Sequence, residues 1–190
     1  MDMTLRYIDM DPFMKTTNTH VYFWDGPFSQ WYKSPFQCDN IWFQNAEKWM
    51  MYQKAMYFKD TNTANMILKW SDPSKIKKLG RQVEGFNERL WADVRENIVF
   101  YGNMLKFTQN SELMTQLVNT GLRTLVEASP YDKIWGVGLK EDDPLILDEV
   151  NWKGKNLLGK CLMKVRQLQW TLTVMSGKAH MAEWREHESL

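Results

Sequence analysis

Glu47 and Lys54 stand seven positions apart in residues 43–58, FQNAEKWMMYQKAMYF. This stretch is rich in good helix formers and holds neither Gly nor Pro, so it predicts a helix. On that helix the two residues would share a face, about 10 Å apart along the axis, and their long side chains could reach one ligand. A Lys desolvated by neighbouring Met and aromatic side chains would have a lowered pKa and could act as a nucleophile, although an ionised Glu nearby would oppose the shift. The plainer interpretation is a solvated helix face, where most Lys and Glu lie.

A second candidate group lies in residues 129–139, SPYDKIWGVGL. Here Asp132 could bind a ribose hydroxyl or act as an acid or base, and Trp135 offers a face for stacking a planar ligand. Gly136 would let the backbone approach a sugar or phosphate closely. An ordinary turn with a core Trp explains the same residues, because a lone G-x-G is weak evidence for a nucleotide site.

Two further segments could bind anions. Asn156 lies in KGKNLLG at the start of a predicted helix, and helix N-termini favour anions, although a plain helix cap fits it equally well. Lys75, Lys77, Lys78 and Arg81 form a small basic cluster that either receives phosphates or is a solvated face.

The elements that would position these residues are mostly helical. Residues 20–25 and 122–128 are typical of short strands, being aromatic, β-branched or apolar. Ser71 and Asp72 before Pro73 predict the cap and first turn of a helix. Further helices are predicted at residues 62–70, 87–108, 111–120 and 156–174. We expect one compact, predominantly helical α+β domain over residues 20–170, with a leader of uncertain order at 1–19 and a polar tail at 171–190.

Composition narrows the function classes. The formal net charge of +1 argues against an extended basic nucleic-acid clamp, but not against nucleic acid held locally as substrate. The 10 Trp, 7 Tyr and 9 Phe residues are enough to line a pocket for a planar ligand as well as a core. Neither the two cysteines, Cys38 and Cys161, nor the three histidines have metal-ligand spacing, so we expect no metal and no other cofactor. The sequence shows no signal peptide and no membrane-spanning apolar run, which favours a cytoplasmic protein.

The motifs, taken in order, resemble those of a known family. An aromatic helix carries E-x-x-x-x-x-x-K at residues 47–54, LGR occurs at 79–81, and Trp91 opens the long helix. D-x-x-W-G-x-G follows at 132–138 and G-K-N-x-L-G at 154–159. This order is similar to the NADAR family, also called YbiA-like, whose name refers to NAD and ADP-ribose. The chain departs from it in lacking the family's T-S-E-H run before the helix, and in replacing a glycine-rich stretch by the acidic segment 140–152.

The resemblance implies an N-glycosidase with a YbiA-like fold. Some members of the family hydrolyse phosphoribosylamino-pyrimidine intermediates of riboflavin synthesis, and others remove ADP-ribose from the amino group of guanine in nucleic acid. Motif by motif, the family's functional positions fall on Glu47, Lys54, Arg81, Trp91, Asp132, Trp135, Gly136 and Asn156. We expect an ADP-ribosylated guanine nucleotide or nucleic acid as substrate, with no membrane and no obligate protein partner.

One carboxylate and one lysine favour a Schiff-base route over a two-carboxylate glycosidase mechanism. Lys54 would be the nucleophile, and Glu47 or Asp132 would move protons. Phe28 joins Trp91 and Trp135 as a candidate to stack the base, while Arg81 and the amides near Gly136 would bind phosphate. Alternatives are a riboflavin intermediate as substrate, or a non-catalytic ADP-ribose reader, which would have no need of a nucleophile. Whether the acidic loop 140–149 closes over the substrate stays open.

Overall fold

A three-stranded sheet forms the centre of the fold in this computed structural model, which describes the backbone of residues 14–187 and the side chains of residues 14–176. Its strands are β1 (Met14–Thr16), β2 (His20–Phe23) and, from later in the chain, Thr124–Glu127. β2 lies in the middle, antiparallel to β1 and parallel to Thr124–Glu127. A separate antiparallel hairpin joins β3 (Phe36–Cys38) to β4 (Ile41–Phe43), so that Thr124–Glu127 is β5.

Six helices surround the sheet and hairpin. They are α1 (Ala46–Tyr57), α2 (Thr61–Lys69), α3 (Pro73–Arg81), α4 (Glu88–Thr108), α5 (Ser111–Asn119) and α6 (Leu157–His187). Side-chain caps start several of them: Asp72 accepts from the amide of Lys75, and Asn45 accepts from the amide of Lys48. The helix-rich α+β fold expected from the sequence is confirmed.

The strands alternate between two apolar layers. Val21, Phe23 and Leu125 pack into the main core against α4, α5 and α6. Tyr22 and Val126, which point the other way, pack with residues from the segment 137–152. Because successive side chains on a strand point to opposite faces, this small sheet is covered on both sides. The end of β5 therefore leads directly from a buried strand into the D-x-x-W-G turn.

The ends of the chain extend beyond the expected domain limits. β1 lies inside the segment 1–19 that the sequence suggests as a leader, and the rest of that segment, residues 1–13, is outside the described part. α6 continues without interruption through residue 170 into the expected polar tail. No helix in the described part of the chain is long and apolar enough to cross a bilayer.

Candidate active site

A cavity of about 460 Å³ opens between α1, α3, the loop after β2 and the turn after β5. Both residues of the Glu/Lys helix pair line it, together with Asp132 and Trp135 of the turn. Arg81 from the end of α3 also lines it. Five of the nine site residues expected from the sequence thus share one cavity, although they come from three separate stretches of chain.

Lys54 is held at the cavity wall by two contacts. Its Nζ donates a hydrogen bond to the carbonyl oxygen of Gly80, 2.8 Å away, and lies 3.9 Å from the ring centroid of Phe86. Burial lowers the pKa of the Lys54 amine, while Glu88 and Glu47 act in the opposite direction. The competition anticipated between burial and a nearby carboxylate is therefore won by burial. A neutral amine that donates one hydrogen to Gly80 keeps a lone pair for attack on a carbon.

Gly80 has a packing reason to be glycine. A side chain at this position would collide with Met51 of α1, so its absence lets α3 approach α1 closely. That approach brings the Gly80 carbonyl within reach of Lys54. The LGR motif therefore contributes the carbonyl that orients the lysine as well as the guanidinium of Arg81.

Glu47 lies in the first turn of α1 and is 7% exposed. Burial raises the pKa of its carboxyl to about 7, with Lys77 and Lys54 opposing the rise and Asp132 adding to it. Its backbone amide donates to the carbonyl of Gln30, which ties the start of α1 to the loop after β2. A carboxyl that titrates near neutrality can both accept and give up protons.

Glu127, the last residue of β5, is a functional candidate that the sequence reasoning missed. It lines the same cavity, and its Oε2 is inaccessible to solvent without a hydrogen-bond partner among the described residues. Burial raises the pKa of this carboxyl to about 8, and the charges of Asp132 and Glu47 add to the rise. The available signal was an ionisable residue at the end of the apolar run LRTLVEA, where a strand enters a buried site.

Asp132 is locked into its own turn. Its Oδ1 accepts hydrogen bonds from the backbone amides of Ile134 and Trp135, each at 2.8 Å. Its own backbone amide donates to the hydroxyl of Ser129. The two hydrogen bonds to Oδ1 fix the turn that carries Trp135. Asp132 is thus an anionic wall of the cavity whose second oxygen remains for a ligand.

Buried polar residues of α4 hold the loop after β2, which we call the aromatic loop (residues 24–34). Lys106 is wholly buried and donates from Nζ to the carbonyls of Pro27 and Ser29. Asn103, also fully buried, accepts from the side-chain amide of Gln30. These contacts fix the loop as a wall of the cavity, and nothing in the sequence spacing indicated them.

Aromatic and basic side chains stand around the cavity mouth. Trp24 and Tyr131 line it with exposed fractions of 42% and 82%, and their ring centroids are 6.1 Å apart. Trp31 lines the same space, and so do Lys77 and Arg81, whose side chains are exposed on α3. The mouth therefore offers flat faces for planar groups and cations for anionic groups.

Two of the aromatic residues expected to stack the ligand are core residues instead. Phe28 is completely buried, with its ring in contact with Phe23 and Phe107, so it has no free face for a base. Trp91 is 6% exposed, packs in the main core and does not line the cavity, although its ring centroid lies 5.9 Å from Lys54 Nζ. In this structure neither ring lines the cavity, and residue type and sequence position do not reveal which way a ring points.

Gly136 and Asn156 also act in the scaffold and not at the ligand. A side chain on Gly136 would crowd the carbonyls of Glu127 and Asp132, so glycine permits the tight turn. Asn156 is 2% exposed, donates to the carbonyl of Leu125 and accepts from the amide of Glu127. The backbone amide of Asn156 also donates to the carbonyl of Gly136. Asn156 thus fastens the start of α6 to β5 and the turn, and it does not line the cavity.

The acidic segment covers the far face of the sheet. Its residues form two short 3₁₀ turns, Pro144–Leu147 and Glu149–Asn151, and Ile146 is buried against the layer that contains Tyr22 and Val126. Asp143 and Asp148 cap these turns by accepting from backbone amides. None of the residues 140–149 lines the cavity, so in this structure the segment is a packing element and does not lie over the site.

Side chains able to hold a metal are not grouped anywhere in the described part of the chain. In the cavity, the carboxyl of Glu47 lies close enough to Lys54 to act on the pKa of the amine, and one oxygen of Asp132 already accepts hydrogen bonds from two backbone amides. That no metal is needed stays a prediction.

The chain is similar to proteins of known family and structure. The family model described as the NADAR domain matches residues 13–169. N-glycosidase R617 of Acanthamoeba polyphaga mimivirus is 45% identical over 145 residues, which cover 74% of this chain and 85% of that protein. Riboflavin biosynthesis protein VVA0006 of Vibrio vulnificus is 30% identical over 116 residues, 61% of this chain and 29% of that protein. The NMR structure of the Escherichia coli protein YbiA superposes with a TM-score of 0.70 at 25% identity, covering 87% of this chain and 93% of that one.

Proposed function

The chain belongs to the NADAR family and is an N-glycosyl hydrolase, and we propose that it removes ADP-ribose from the amino group of guanine. The observation that carries this proposal is the cavity itself. It joins a half-buried lysine with a lowered pKa to the carboxyls of Glu47 and Glu127, whose pKa values are raised by burial, under a mouth of exposed aromatic rings.

The proposed reaction begins with ring opening. The bond between C1′ and O4′ of the ribose breaks, O4′ takes a proton from a cavity carboxyl, and the lone pair of the guanine amino nitrogen forms a C=N bond to C1′. The neutral Nζ of Lys54 then adds to C1′ and passes a proton to the guanine nitrogen. The C1′–N bond to guanine breaks, which frees guanine and leaves a Schiff base between C1′ and Lys54.

Hydrolysis completes the cycle. Water adds to C1′ of the Schiff base and gives one proton to a carboxylate, which produces a carbinolamine. The remaining hydroxyl proton passes to Nζ as the bond between C1′ and Nζ breaks, and the hydroxyl oxygen becomes the carbonyl oxygen of an aldehyde. The released aldehyde closes again to the ribose ring, and Lys54 returns as a neutral amine. Glu47 suits the proton transfers of this second half because the pKa of its carboxyl is about 7.

The size and chemistry of the mouth support the larger of the two family substrates. ADP-ribosylated guanine presents two purines and a diphosphate. Trp24, Tyr131 and Trp135 offer aromatic faces for the purines, and Lys77 and Arg81 are placed for the phosphates. The small net charge of the chain, +1, agrees with substrate contacts confined to this mouth.

A phosphoribosylamino-pyrimidine of riboflavin synthesis is the second candidate. The observation that favours it is the similarity to riboflavin biosynthesis protein VVA0006. Such a substrate has one ring and one phosphate and would leave most of the aromatic mouth uncovered. Purified protein incubated with both substrates, with products followed by mass spectrometry, decides between them.

The lysine mechanism is tested by trapping. Borohydride added during turnover reduces the Schiff base, so peptide mapping is expected to find a ribosyl adduct on Lys54. Lys54→Arg keeps the positive charge but stays protonated, so we expect it to lose nearly all turnover and yield no adduct. Lys78→Arg is the matched control, because Lys78 is exposed on the same helix as Lys77 and does not line the cavity.

An adduct on another lysine, or substantial turnover by Lys54→Arg, would refute the nucleophilic role of Lys54. The chemistry would then rest on the buried carboxyls acting as a glycosidase pair.

A further inference from the structure

We infer that Glu127 is the general acid of this hydrolase and delivers the proton that O4′ of the ribose takes as the sugar ring opens. The inference rests on the proposed Schiff-base reaction and assigns its first proton transfer to one residue. Three observations carry it. The backbone of Glu127 is fixed, one oxygen of its carboxyl has no hydrogen-bond partner among the described residues, and the other cavity carboxyls, Asp132 and Glu47, are placed for different tasks.

The backbone of Glu127 is fixed from several sides. It pairs with Phe23 of β2, its amide donates to the side chain of Asn156 at 3.1 Å, and its carbonyl accepts from the amide of Val137 at 3.0 Å. Because the backbone is fixed, the carboxyl of Glu127 can move only by rotation about its side-chain bonds. A proton donor needs such a fixed base, because transfer requires hydrogen-bond distance to the reacting atom.

One oxygen of the Glu127 carboxyl lacks the hydrogen-bond partner that a buried polar group normally has. Its Oε2 is shielded from solvent and finds no hydrogen-bond partner among the described residues, although the side chain lines the cavity. A buried oxygen without a hydrogen-bond donor disfavours the ionised carboxylate. The protonated carboxyl can offer its O–H to an oxygen atom of a substrate that enters the cavity.

The other two carboxyls are differently placed. Asp132 already uses one carboxyl oxygen to accept hydrogen bonds from the amides of Ile134 and Trp135. Glu47 lies on the same helix as Lys54, where it is suited to exchange protons with the amine and with water. Glu127 faces both negative charges, and burial together with their repulsion raises the pKa of its carboxyl to about 8. At neutral pH Glu127 thus holds a proton that it can donate.

The charged groups that surround Glu127 act in both directions. Those that line the cavity with it are Asp25 of the aromatic loop, Glu47 and Lys54 of α1, Lys77 and Arg81 of α3, and Asp132. Binding of an anionic diphosphate near Lys77 and Arg81 would offset these cations and keep the proton on Glu127. Glu127 should therefore be protonated both in the free enzyme and in the complex with substrate.

Borohydride trapping distinguishes a general acid for ring opening from a residue that the attack of Lys54 itself requires. Glu127→Gln keeps the shape of the side chain but has no proton to transfer. We expect it to lose at least a hundredfold in turnover of ADP-ribosylated guanosine, within the range typical for a lost general acid. It should still form the borohydride adduct on Lys54 when incubated with free ADP-ribose, because that sugar opens in water without an enzymatic acid. Glu149→Gln, an exposed carboxyl on the far face of the sheet, is the matched control and should keep full turnover.

The pH profile supplies a second readout. Wild-type turnover should fall as the pH rises through about 8, where Glu127 loses its proton, and the residual turnover of Glu127→Gln should lack this alkaline decline. Glu127→Gln with normal turnover, or with its adduct lost also from free ADP-ribose, overturns the inference. Failure of the wild type to form any adduct would instead refute the lysine mechanism, so the two results are distinguishable.

Discussion

Lys54 illustrates how the site is prepared at the scale of single residues. Its Nζ lies over the ring of Phe86 and donates to one backbone carbonyl, so the position of the amine is set before substrate arrives. Fixed geometry of this kind contributes to catalysis because the reacting groups need not be ordered later. Trp135 does the same for a planar ligand, because the turn closed by Asp132 fixes its backbone.

Trp135 gives a prediction at this scale. Stacking on an aromatic side chain contributes about 1–3 kcal/mol per base. We therefore expect Trp135→Ala to weaken binding of ADP-ribose by roughly tenfold to a hundredfold. Isothermal titration calorimetry measures the change, and circular dichroism checks the fold, since Trp135 also packs partly against the main core. Trp42→Ala is the control, an exposed Trp on β4 that does not line the cavity. Unchanged affinity in a folded Trp135→Ala variant would exclude stacking there.

The elements show where sequence reasoning succeeds and where it stops. Helix periodicity and caps located α1, α3 and α4 within a few residues, and therefore put Glu47 and Lys54 on one face. The same reasoning could not locate Glu127 in the site, because only the parallel pairing of β2 and β5 places the end of β5 beside the aromatic loop. It also named Trp91 and Asn156 as ligand contacts, although neither lines the cavity, since a motif position does not distinguish a residue that touches substrate from one that holds the motif in place.

Asn156 gives a prediction at the scale of elements. It joins α6 to β5 through two side-chain hydrogen bonds, and its φ of 51° lies in the left-handed region, which Asn tolerates better than Ala. Asn156→Ala leaves a buried donor and a buried acceptor unpaired and adds backbone strain. We expect a loss of about 2–4 kcal/mol in the free energy of unfolding, measured by urea denaturation.

Asn151→Ala provides the comparison for this loss. Asn151 makes one exposed hydrogen bond, to the carbonyl of Leu145, and its replacement should change stability by less than about 0.5 kcal/mol. Equal effects of the two substitutions would mean that Asn156 does not fasten the two elements together.

At the scale of the whole molecule, the raised pKa values of the site carboxyls lower the free energy of unfolding as the pH rises. The carboxyl of Glu127 keeps its proton up to a pH of about 8 in the folded protein, but only to its ordinary, lower pKa when unfolded. Between these values the folded state binds the extra proton, so its stabilising contribution is present at low pH and is lost as the pH rises through about 8. Glu47 acts in the same direction up to a pH of about 7.

Glu127→Gln should therefore gain stability relative to the wild type as the pH rises. We expect the difference in free energy of unfolding, variant minus wild type, to increase by about 1–3 kcal/mol between pH 5 and pH 8. Urea denaturation at the two pH values measures it. The comparison cancels the opposite contribution of Lys106, whose lowered pKa of about 7 makes the folded protein more stable as the pH rises above that value. A difference that is independent of pH would show that Glu127 ionises normally in the folded protein.

The pairing of β2 with β5 has one more consequence, for dividing the chain into fragments. A cut after Gly121, beside the exposed Leu122, would leave Glu47 and Lys54 on the first fragment and Glu127 and Asp132 on the second. Neither fragment would carry a complete set of reacting groups, and reassociation would have to rebuild the central strand pair before any glycosidic bond could be cleaved. Recovered hydrolysis would then report that the two halves had met, which makes this turn a natural position for a split enzyme.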